Sequence, residues 1–138
     1  MFALRGAAQQ MDNAVIEWMA GSAGSLARFQ ILMALRVTRG AGISHQGIVS
    51  AMGGTRATVS GLMAGLEGEG SVDSAVDGND RRKLIARLTA KVEIVVEEAF
   101  AISMARFGKR FASFSREELA TLTTLLNRVR DEFMSPTG

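Results

Sequence analysis

The feature that most limits the possible folds is a run of two helices and two strands predicted between residues 44 and 89. Ser44 is a predicted N-cap for a helix over HQGIVSAMG, which ends at a pair of glycines. Thr55 is a predicted N-cap for a second helix that begins at Arg56. Two helices joined by a glycine turn form a helix-turn-helix unit.

Beyond Gly70 the apolar residues alternate with polar ones, first in SVDSAV and then in KLIARL. The DGND segment between them is typical of a tight turn, so the two alternating segments predict a β-hairpin. Helix, turn, helix and hairpin in this order are typical of a winged helix-turn-helix. The expected fold class is therefore mainly α with a small β-hairpin wing.

Helical periodicity also marks the segments that precede this unit. Small or apolar residues from Leu4 to Trp18 recur every three or four positions, and the segment Gly21 to Ser25 is expected to break that helix. LARFQILMALRV is predicted to form the next helix and to end at RGAG. The side chains predicted to face inward on it are Phe29, Leu32, Met33 and either Leu35 or Val37.

Two further helices are predicted after the hairpin. Thr89 is a predicted N-cap for a long helix, and Ser115 with Glu118 matches a capping box at the start of the last helix. The last helix carries an apolar stripe with the spacing of coiled-coil a and d positions, formed by Leu119, Leu122, Leu126, Val129 and Phe133. A chain this small is not expected to bury such stripes alone, so the terminal helices predict a homodimer.

Composition excludes several classes of protein. A chain of 138 residues is expected to form one domain, and the absence of cysteine excludes a disulfide framework, a thiolate zinc site and a Cys nucleophile. There is no run of about 20 apolar residues, and polar residues interrupt the N-terminal segment, so neither a membrane partner nor a secretory signal is expected. The predicted location is cytoplasmic, with no cofactor and no metal.

The net charge is only +2, but positive charge is concentrated in and after the predicted hairpin. The clustered cations are Arg81, Arg82, Lys83, Arg87 and Lys91. A helix fits the major groove of DNA, and an arginine on a hairpin arm can enter the narrower, electronegative minor groove. The cluster beside a helix-turn-helix therefore indicates contact with DNA.

Two segments resemble the MarR family of winged-helix transcription regulators: TRATVSGLMAGLEGEG, from Thr55 to Gly70, and DGNDRRKLIARLT, from Asp77 to Thr89. The second segment contains the family's wing signature, an Asp, any residue and an Arg, before a strand that ends in Leu-Thr. The resemblance implies a homodimer that binds a pseudo-palindromic operator in double-stranded DNA. It also implies that Arg82 enters the minor groove and that Asp80 orients it.

The same resemblance divides a single MarR-type domain over 1–138 into a DNA-binding region, 26–89, and dimerisation helices in 1–22 and 90–138. The chain departs from the family by carrying Gly54, Gly68 and Ser71 where a branched apolar, a charged and a larger apolar residue are usual. Glycine in a helix interior costs up to about 1 kcal/mol relative to alanine. The DNA-reading helix is therefore predicted to be marginally stable.

The predicted DNA contacts are spread over the two helix starts and the wing. They are Ser44, His45, Gln46, Thr55, Arg56, Ala57, Thr58, Ser60, Asp80, Arg81, Arg82, Lys83 and Arg87. The candidates for base recognition are Arg56, Thr58 and Ser60, with a methyl contact from Ala57. The resemblance implies that Arg81 and Lys83 meet phosphates. For His45 both a phosphate contact and a plain surface position remain open.

The resemblance further implies a small aromatic or phenolic effector, often anionic in the family. Trp18, Phe29 and Met33 are candidates to line its pocket, although they can equally well simply pack. The leading hypothesis is a sequence-specific regulator, a repressor of nearby genes that the effector releases. The alternative is a helical interaction module that kept the winged fold and lost DNA binding. No phosphate loop, ligand cluster or paired nucleophile and base is present, so an enzyme is not expected.

Overall fold

The structure, a computed structural model, describes residues 1–19 and 26–136. Its elements are α1 (Phe2–Trp18), α2 (Leu26–Val37), β1 (Ile43–Ser44), α3 (His45–Met52), α4 (Arg56–Gly68), β2 (Val72–Val76), β3 (Leu84–Leu88), α5 (Ala90–Arg110) and α6 (Arg116–Met134). This architecture confirms the predicted mainly α class with a hairpin wing. The predicted break at Gly21 to Ser25 lies outside the described residues, as does the end of the 1–22 segment. Of the described helices, none is long and apolar enough to cross a membrane.

The wing is the predicted hairpin with one strand added. Strands β2 and β3 pair antiparallel, and the pair nearest the turn is Val76 with Leu84. The short strand β1 pairs with the other edge of β3, so that Ile43 lies opposite Ala86 and the strand order is β1-β3-β2. The third strand, which was not predicted, attaches the start of α3 to the wing.

The hydrophobic core lies within the winged region. Its buried members are Ile31, Leu35, Ile48, Val59, Met63, Leu66, Val72 and Ala86. The predicted inward side of α2 was partly wrong. Leu35 is buried in this core and Leu32 packs against it as predicted, but Ile31, which was not predicted, is fully buried, and Val37 is 65% exposed. The reason is that α2 is apolar on two sides, one packed on α3 and α4 and the other directed toward α1 and α5.

The junction between α4 and α5 differs from the predicted cap. Thr89 is the N-cap residue of α5, but its hydroxyl accepts no hydrogen bond from the helix and instead donates to the carbonyl of Gly70 at 2.6 Å. The ammonium group of Lys91 donates to the carbonyl of Glu69 at 2.6 Å. The first turn of α5 is therefore fastened to the end of α4. The capping box of Ser115 and Glu118 is present as predicted.

Two ion pairs connect helix α2 to the winged region and to the long helix α5. Arg28 pairs with Glu69 at the end of α4, and Arg36 pairs with Glu97 of α5. The Arg36 guanidinium also lies 4.5 Å from the centre of the Phe100 ring. Hydrogen bonds from these arginines lower the pKa of Glu69 and of Glu97 below the ordinary value. Helix α2 thus has one ion pair with the end of α4 and one with α5.

Candidate nucleic-acid interface

Local hydrogen bonds build the turn between α3 and α4 as the sequence predicts. Ser44 Oγ accepts the backbone N–H of Gly47 at 2.9 Å at the start of α3. Thr55 Oγ1 accepts the backbone N–H of Thr58 at 3.2 Å at the start of α4. Between the helices Gly53 has a φ of 65°, in the left-handed region that glycine adopts without steric cost. Both helices therefore begin at the predicted residues.

An open groove of about 340 Å³, the interface groove, lies between the first turns of α3 and α4 and the turn of the wing. Its lining residues are Ser44, His45, Gln46, Val49, Arg56, Val59, Ser60, Arg82, Lys83 and Leu84. Apart from two valines and a leucine, all of them belong to the set predicted to contact DNA. The fold thus brings residues from distant parts of the chain together, and Arg56, Arg82 and Lys83 give the groove a positive charge.

The wing turn holds Arg82 on a carboxylate while leaving most of its side chain in solvent. Asp80 Oδ1 accepts the backbone N–H of Arg82 at 3.0 Å and its Nε–H at 3.3 Å. The backbone hydrogen bond is the main cause that lowers the pKa of Asp80, followed by the bond from the side chain. The side chain of Arg82 is nevertheless 91% exposed. A charged donor that is oriented at its base and free at its tip is suited to enter a narrow anionic groove.

Helix α4 exposes a surface of small side chains. Arg56, at its start, donates to the Gln46 side chain at 2.8 Å and so links the first turns of the two helices. A Cβ atom built on Gly61 or Gly68 would meet nothing within 4 Å, so packing within the described structure does not require glycine at either position. The absence of side chains there allows another molecule to approach the helix backbone closely.

The remaining predicted residues lie next to the groove rather than in its lining. Thr55, Ala57, Thr58 and Arg81 are exposed, and each neighbours a lining residue in the chain or in the same helix turn. Arg87 lies at the far end of β3, where its Nε–H donates to the carbonyl of Gly40 at 2.9 Å. Arg87 is therefore farther from the groove than the wing-turn arginines, and part of its hydrogen-bonding capacity is used within the chain.

Two polar residues that the sequence prediction missed contact the groove through His45. Nε2 of His45 lies 2.9 Å from Ser74 Oγ, and Ser74 Oγ donates to Glu67 at 2.6 Å. The side chain of His45 is 28% exposed, so it is not a plain surface residue. No local pattern could identify these partners, because Ser74 is 29 positions from His45 in the chain.

The three residues predicted to line an effector pocket do not share one cavity. Phe29 and Met33 line an apolar cavity of about 290 Å³ between α1, α2 and α5. Trp18 lines a separate hollow of about 330 Å³ and packs edge-on against Phe107, with ring centres 5.0 Å apart. Phe107 lies in the wall of both spaces, so Trp18 is one ring away from the apolar cavity.

Comparison with known proteins places this geometry among solved structures. The sequence matches no family model and no curated protein. A crystal structure of S. aureus MepR in DNA-binding conformation aligns with a TM-score of 0.80 at 20% identity, covering 96% of each chain.

Two other solved structures align over nearly the whole chain. A structure of Bordetella bronchiseptica BpsR, described as giving the mechanism by which 6-hydroxynicotinic acid regulates its DNA binding, has a TM-score of 0.69 and 26% identity over 93% of this chain and 96% of BpsR. E. coli MarR in its apo form has a TM-score of 0.65 and 20% identity over 92% and 93% of the two chains. These neighbours are transcription regulators and not enzymes.

The likeness is not confined to the winged region. Each alignment includes the helices on both sides of it, because the coverage is at least 92% of this chain. The wing signature from Asp77 to Thr89, which resembles the family in sequence, forms the predicted hairpin. The chain therefore has the winged-helix fold of these MarR-type regulators, and it is similar to BpsR from end to end.

Proposed function

We propose that the chain is a dimeric transcription regulator that binds a pseudo-palindromic operator in double-stranded DNA and represses nearby genes. The observation that carries the proposal is the interface groove, in which three cationic side chains from α4 and the wing meet. The DNA-binding conformation of MepR, which this chain resembles in fold, is consistent with it. The groove has the charge and the open form that a duplex requires.

In this proposal α4 enters the major groove. Its first turn supplies Arg56, Thr58 and Ser60, the side chains that can donate to base edges. Ala57 and Gly61 follow on the exposed surface, where the small side chains permit a close approach of the helix to the bases. A helix that reads few bases by hydrogen bonds then depends on close fit for part of its specificity.

The wing contributes the second contact. Arg82 enters the minor groove, and Asp80 limits the positions that its guanidinium samples before binding. Arg81 and Lys83 are placed on either side of it in the turn, where they meet phosphates. An arginine that is oriented in the free protein loses less conformational freedom on binding.

Exposed apolar side chains on α6 support the homodimer. Leu122, Leu125, Leu126 and Val129 are all between 40% and 49% exposed, and Phe133 is 87% exposed. No residue of α6 is buried in the described chain. Two winged regions related by a two-fold axis would then enter successive major grooves, about 10 bp apart on one side of the duplex.

The apolar cavity between α1, α2 and α5 is the proposed site of a small aromatic or phenolic effector. Phe29, Phe100 and Phe107 contribute rings to its wall, and its charged lining residue is Asp12. Among the described lining residues there is no arginine or lysine to pair with an anion. The cavity therefore favours a neutral phenol over the carboxylates that the family resemblance suggests.

Such an effector would act through α2, which belongs to the winged region and also forms one wall of the cavity. Filling the cavity changes the distance between α2 and the helices α1 and α5, and with it the spacing of the two wings. Because coupling is reciprocal, the effector must weaken DNA binding by the same factor by which DNA weakens effector binding.

Fluorescence of Trp18 tests the effector proposal, because Trp18 packs on a ring of the cavity wall. The matched probes are 4-hydroxybenzamide and 4-hydroxybenzoate, which differ mainly in charge. We expect the neutral amide to change the emission at lower concentration than the carboxylate. Tighter binding of the carboxylate would contradict the assignment of this cavity.

A DNA titration tests the central proposal. We expect a fluorescent duplex of the region upstream of the chain's own gene to bind more tightly than a scrambled duplex, with an affinity that falls steeply as salt rises. Equal and weak binding to both duplexes at every salt concentration would contradict the proposal that the chain recognises a specific sequence. Absence of binding to either would favour the interaction module that lost DNA binding.

A further inference from the structure

A chain of hydrogen bonds joins three elements behind the interface groove. His45 is the first residue of α3, Ser74 lies in the middle of β2, and Glu67 lies near the end of α4. Nε2 of His45 is 2.9 Å from Ser74 Oγ, which donates to Glu67 Oε1 at 2.6 Å. Nε2 is also 3.8 Å from the same carboxylate oxygen. The contacts of the imidazole with Ser74 and Glu67 are therefore both made through Nε2.

The position of the protons follows from these contacts. A serine hydroxyl has a single hydrogen, and Ser74 gives it to the Glu67 carboxylate. Ser74 Oγ can therefore only accept from His45, so Nε2 carries a proton. In the neutral ring Nδ1 is then an acceptor, and only a second proton makes it a donor. Within the described residues, the ring makes its hydrogen bond through Nε2, and Nδ1 has no partner.

The charges around His45 come from several elements. Glu67 faces it from α4, Arg56 lines the same groove from the start of α4, and Arg82 with Lys83 line it from the wing turn. The cations attract phosphate to the groove that His45 lines, whereas Glu67 is not among the described residues that line it. A phosphate oxygen accepts hydrogen bonds and cannot donate one. It is therefore a partner for Nδ1 only when the ring is protonated.

We propose that Ser74 and Glu67 are positioning residues that hold His45 as a phosphate donor, and that the chain takes up a proton at His45 when it binds DNA. The inference rests on the proposed DNA-binding function. Because binding and protonation are linked, DNA affinity rises as pH falls. The slope is at most about tenfold per pH unit for each proton taken up. The contact is to phosphate, so the pH dependence is the same for any duplex sequence.

The test measures binding of an arbitrary 30-bp duplex at low salt, and of the upstream duplex, at a series of pH values between about 6 and 8. The sequence contains a single histidine, so His45→Gln removes all histidine titration while its amide can still donate to Ser74. We expect the wild-type chain to bind several-fold more tightly at the acid end. His45→Gln is expected to bind with nearly constant affinity across the range.

Variants of the positioning residues separate orientation from simple charge. Ser74→Ala should reduce the pH dependence, and Ser74→Thr, which keeps the hydroxyl, should restore it. Glu67→Gln should bind DNA more tightly at the alkaline end, because a negative charge is lost, and yet gain less on acidification. Asp73→Asn is the matched control, because it removes one exposed carboxylate from the same strand without contacting His45. It should keep the full pH dependence.

A tautomer measurement makes the geometry independently testable. Nitrogen-15 correlation spectra of the single imidazole in the free dimer should show the Nε2–H form at alkaline pH. A predominant Nδ1–H form would overturn the proton assignment. Binding that is independent of pH, or a pH dependence that survives in His45→Gln, would overturn the proposal and leave DNA binding intact. No binding to any duplex at any pH would contradict both the proton uptake at His45 and the proposed DNA-binding function.

Discussion

The winged region and the terminal helices bury their apolar side chains in different ways. Between residues 26 and 89, eight hydrophobic residues form one buried cluster within a single chain. In α1, α5 and α6 the buried hydrophobic residues are Val15 and Val96, and α6 has none. The winged region thus has its own core. The terminal helices carry apolar side chains at helical spacing, but most of these side chains are not buried within the chain.

The difference corresponds to two requirements of the proposed function, a rigid surface that reads DNA and an apolar surface that forms a dimer. A surface that reads DNA needs fixed helix starts and a fixed wing turn, which local caps and an internal core supply. A dimer needs apolar surface that remains accessible until the partner binds. In α6 the capping box at Ser115 fixes the start of the helix, and the exposed leucines are the surface that the proposed dimer would bury.

The largest effect is expected from a charge in the α6 stripe. Leu126→Asp should shift the dimer to monomer, because burying a leucine contributes about 1.5–3 kcal/mol and the change occurs twice in each dimer. Asn127→Asp, on the neighbouring exposed side of α6, is the matched control and should leave the dimer intact. Sedimentation equilibrium distinguishes the two. A dimer that survives Leu126→Asp would show that the exposed stripe is not the interface.

A core truncation should act on the other region. Ile31 is fully buried in the winged core, and Ile31→Ala should lower the free energy of unfolding by about 2–5 kcal/mol. Val37→Ala, in the same helix at a position 65% exposed, should cost much less. Thermal or denaturant unfolding at fixed protein concentration measures both. Equal losses would mean that the two sides of α2 are buried alike in the folded dimer.

Local signals explain why most element boundaries were predictable. Ser44, Thr55 and Ser115 each accept a backbone N–H three residues ahead, and glycine follows α3 in a left-handed conformation. The wing turn was predictable from the DGND segment, whereas the contact of Asp80 with Arg82 was implied by the family resemblance. Fixed short spacing is visible in sequence without any knowledge of the fold.

The features that were missed depend on contacts between distant segments. Strand β1 has two residues and exists because Ile43 pairs with Ala86. The hydrogen bond of the Thr89 hydroxyl to the carbonyl of Gly70 replaces an ordinary cap, because the fold brings the end of α4 next to the start of α5. The two apolar sides of α2 could not be ranked from periodicity, since both carry large side chains at helical spacing.

A smaller effect is expected from the glycines of α4. Gly61→Ala and Gly68→Ala should each raise the free energy of unfolding, by up to about 1 kcal/mol, because a methyl group meets nothing at either position. Only Gly61→Ala is expected to weaken DNA binding, since Gly61 follows Ser60 of the groove and Gly68 is at the end of the helix. Equal DNA affinities for the two variants would contradict close approach at Gly61.

The smallest effect is expected from the wing carboxylate as pH changes. Hydrogen bonds from Arg82 depress the pKa of Asp80 below its ordinary value of 3.8. A depressed pKa adds stability that is present above the unfolded-state value and is lost as pH falls through the folded-state value. The wing turn should therefore be unaffected between about pH 6 and pH 8, and Asp80→Asn should leave the pH dependence of DNA binding in that range unchanged. Altered pH dependence in Asp80→Asn would assign the proton uptake to the wing and not to His45.

The most direct test of the central claim, that the groove side of the winged region binds DNA, compares two arginines of the same hairpin. Arg82→Ala should weaken operator binding by about 1–3 kcal/mol and leave the dimer and its melting temperature nearly unchanged, because Arg82 is 91% exposed in the free chain. Arg87→Ala, which removes a side chain already bound to Gly40, should weaken all duplexes alike and reduce the salt dependence by about one counterion per protomer. Equal small effects of the two substitutions, or unfolding of Arg82→Ala, would contradict the assignment of the wing.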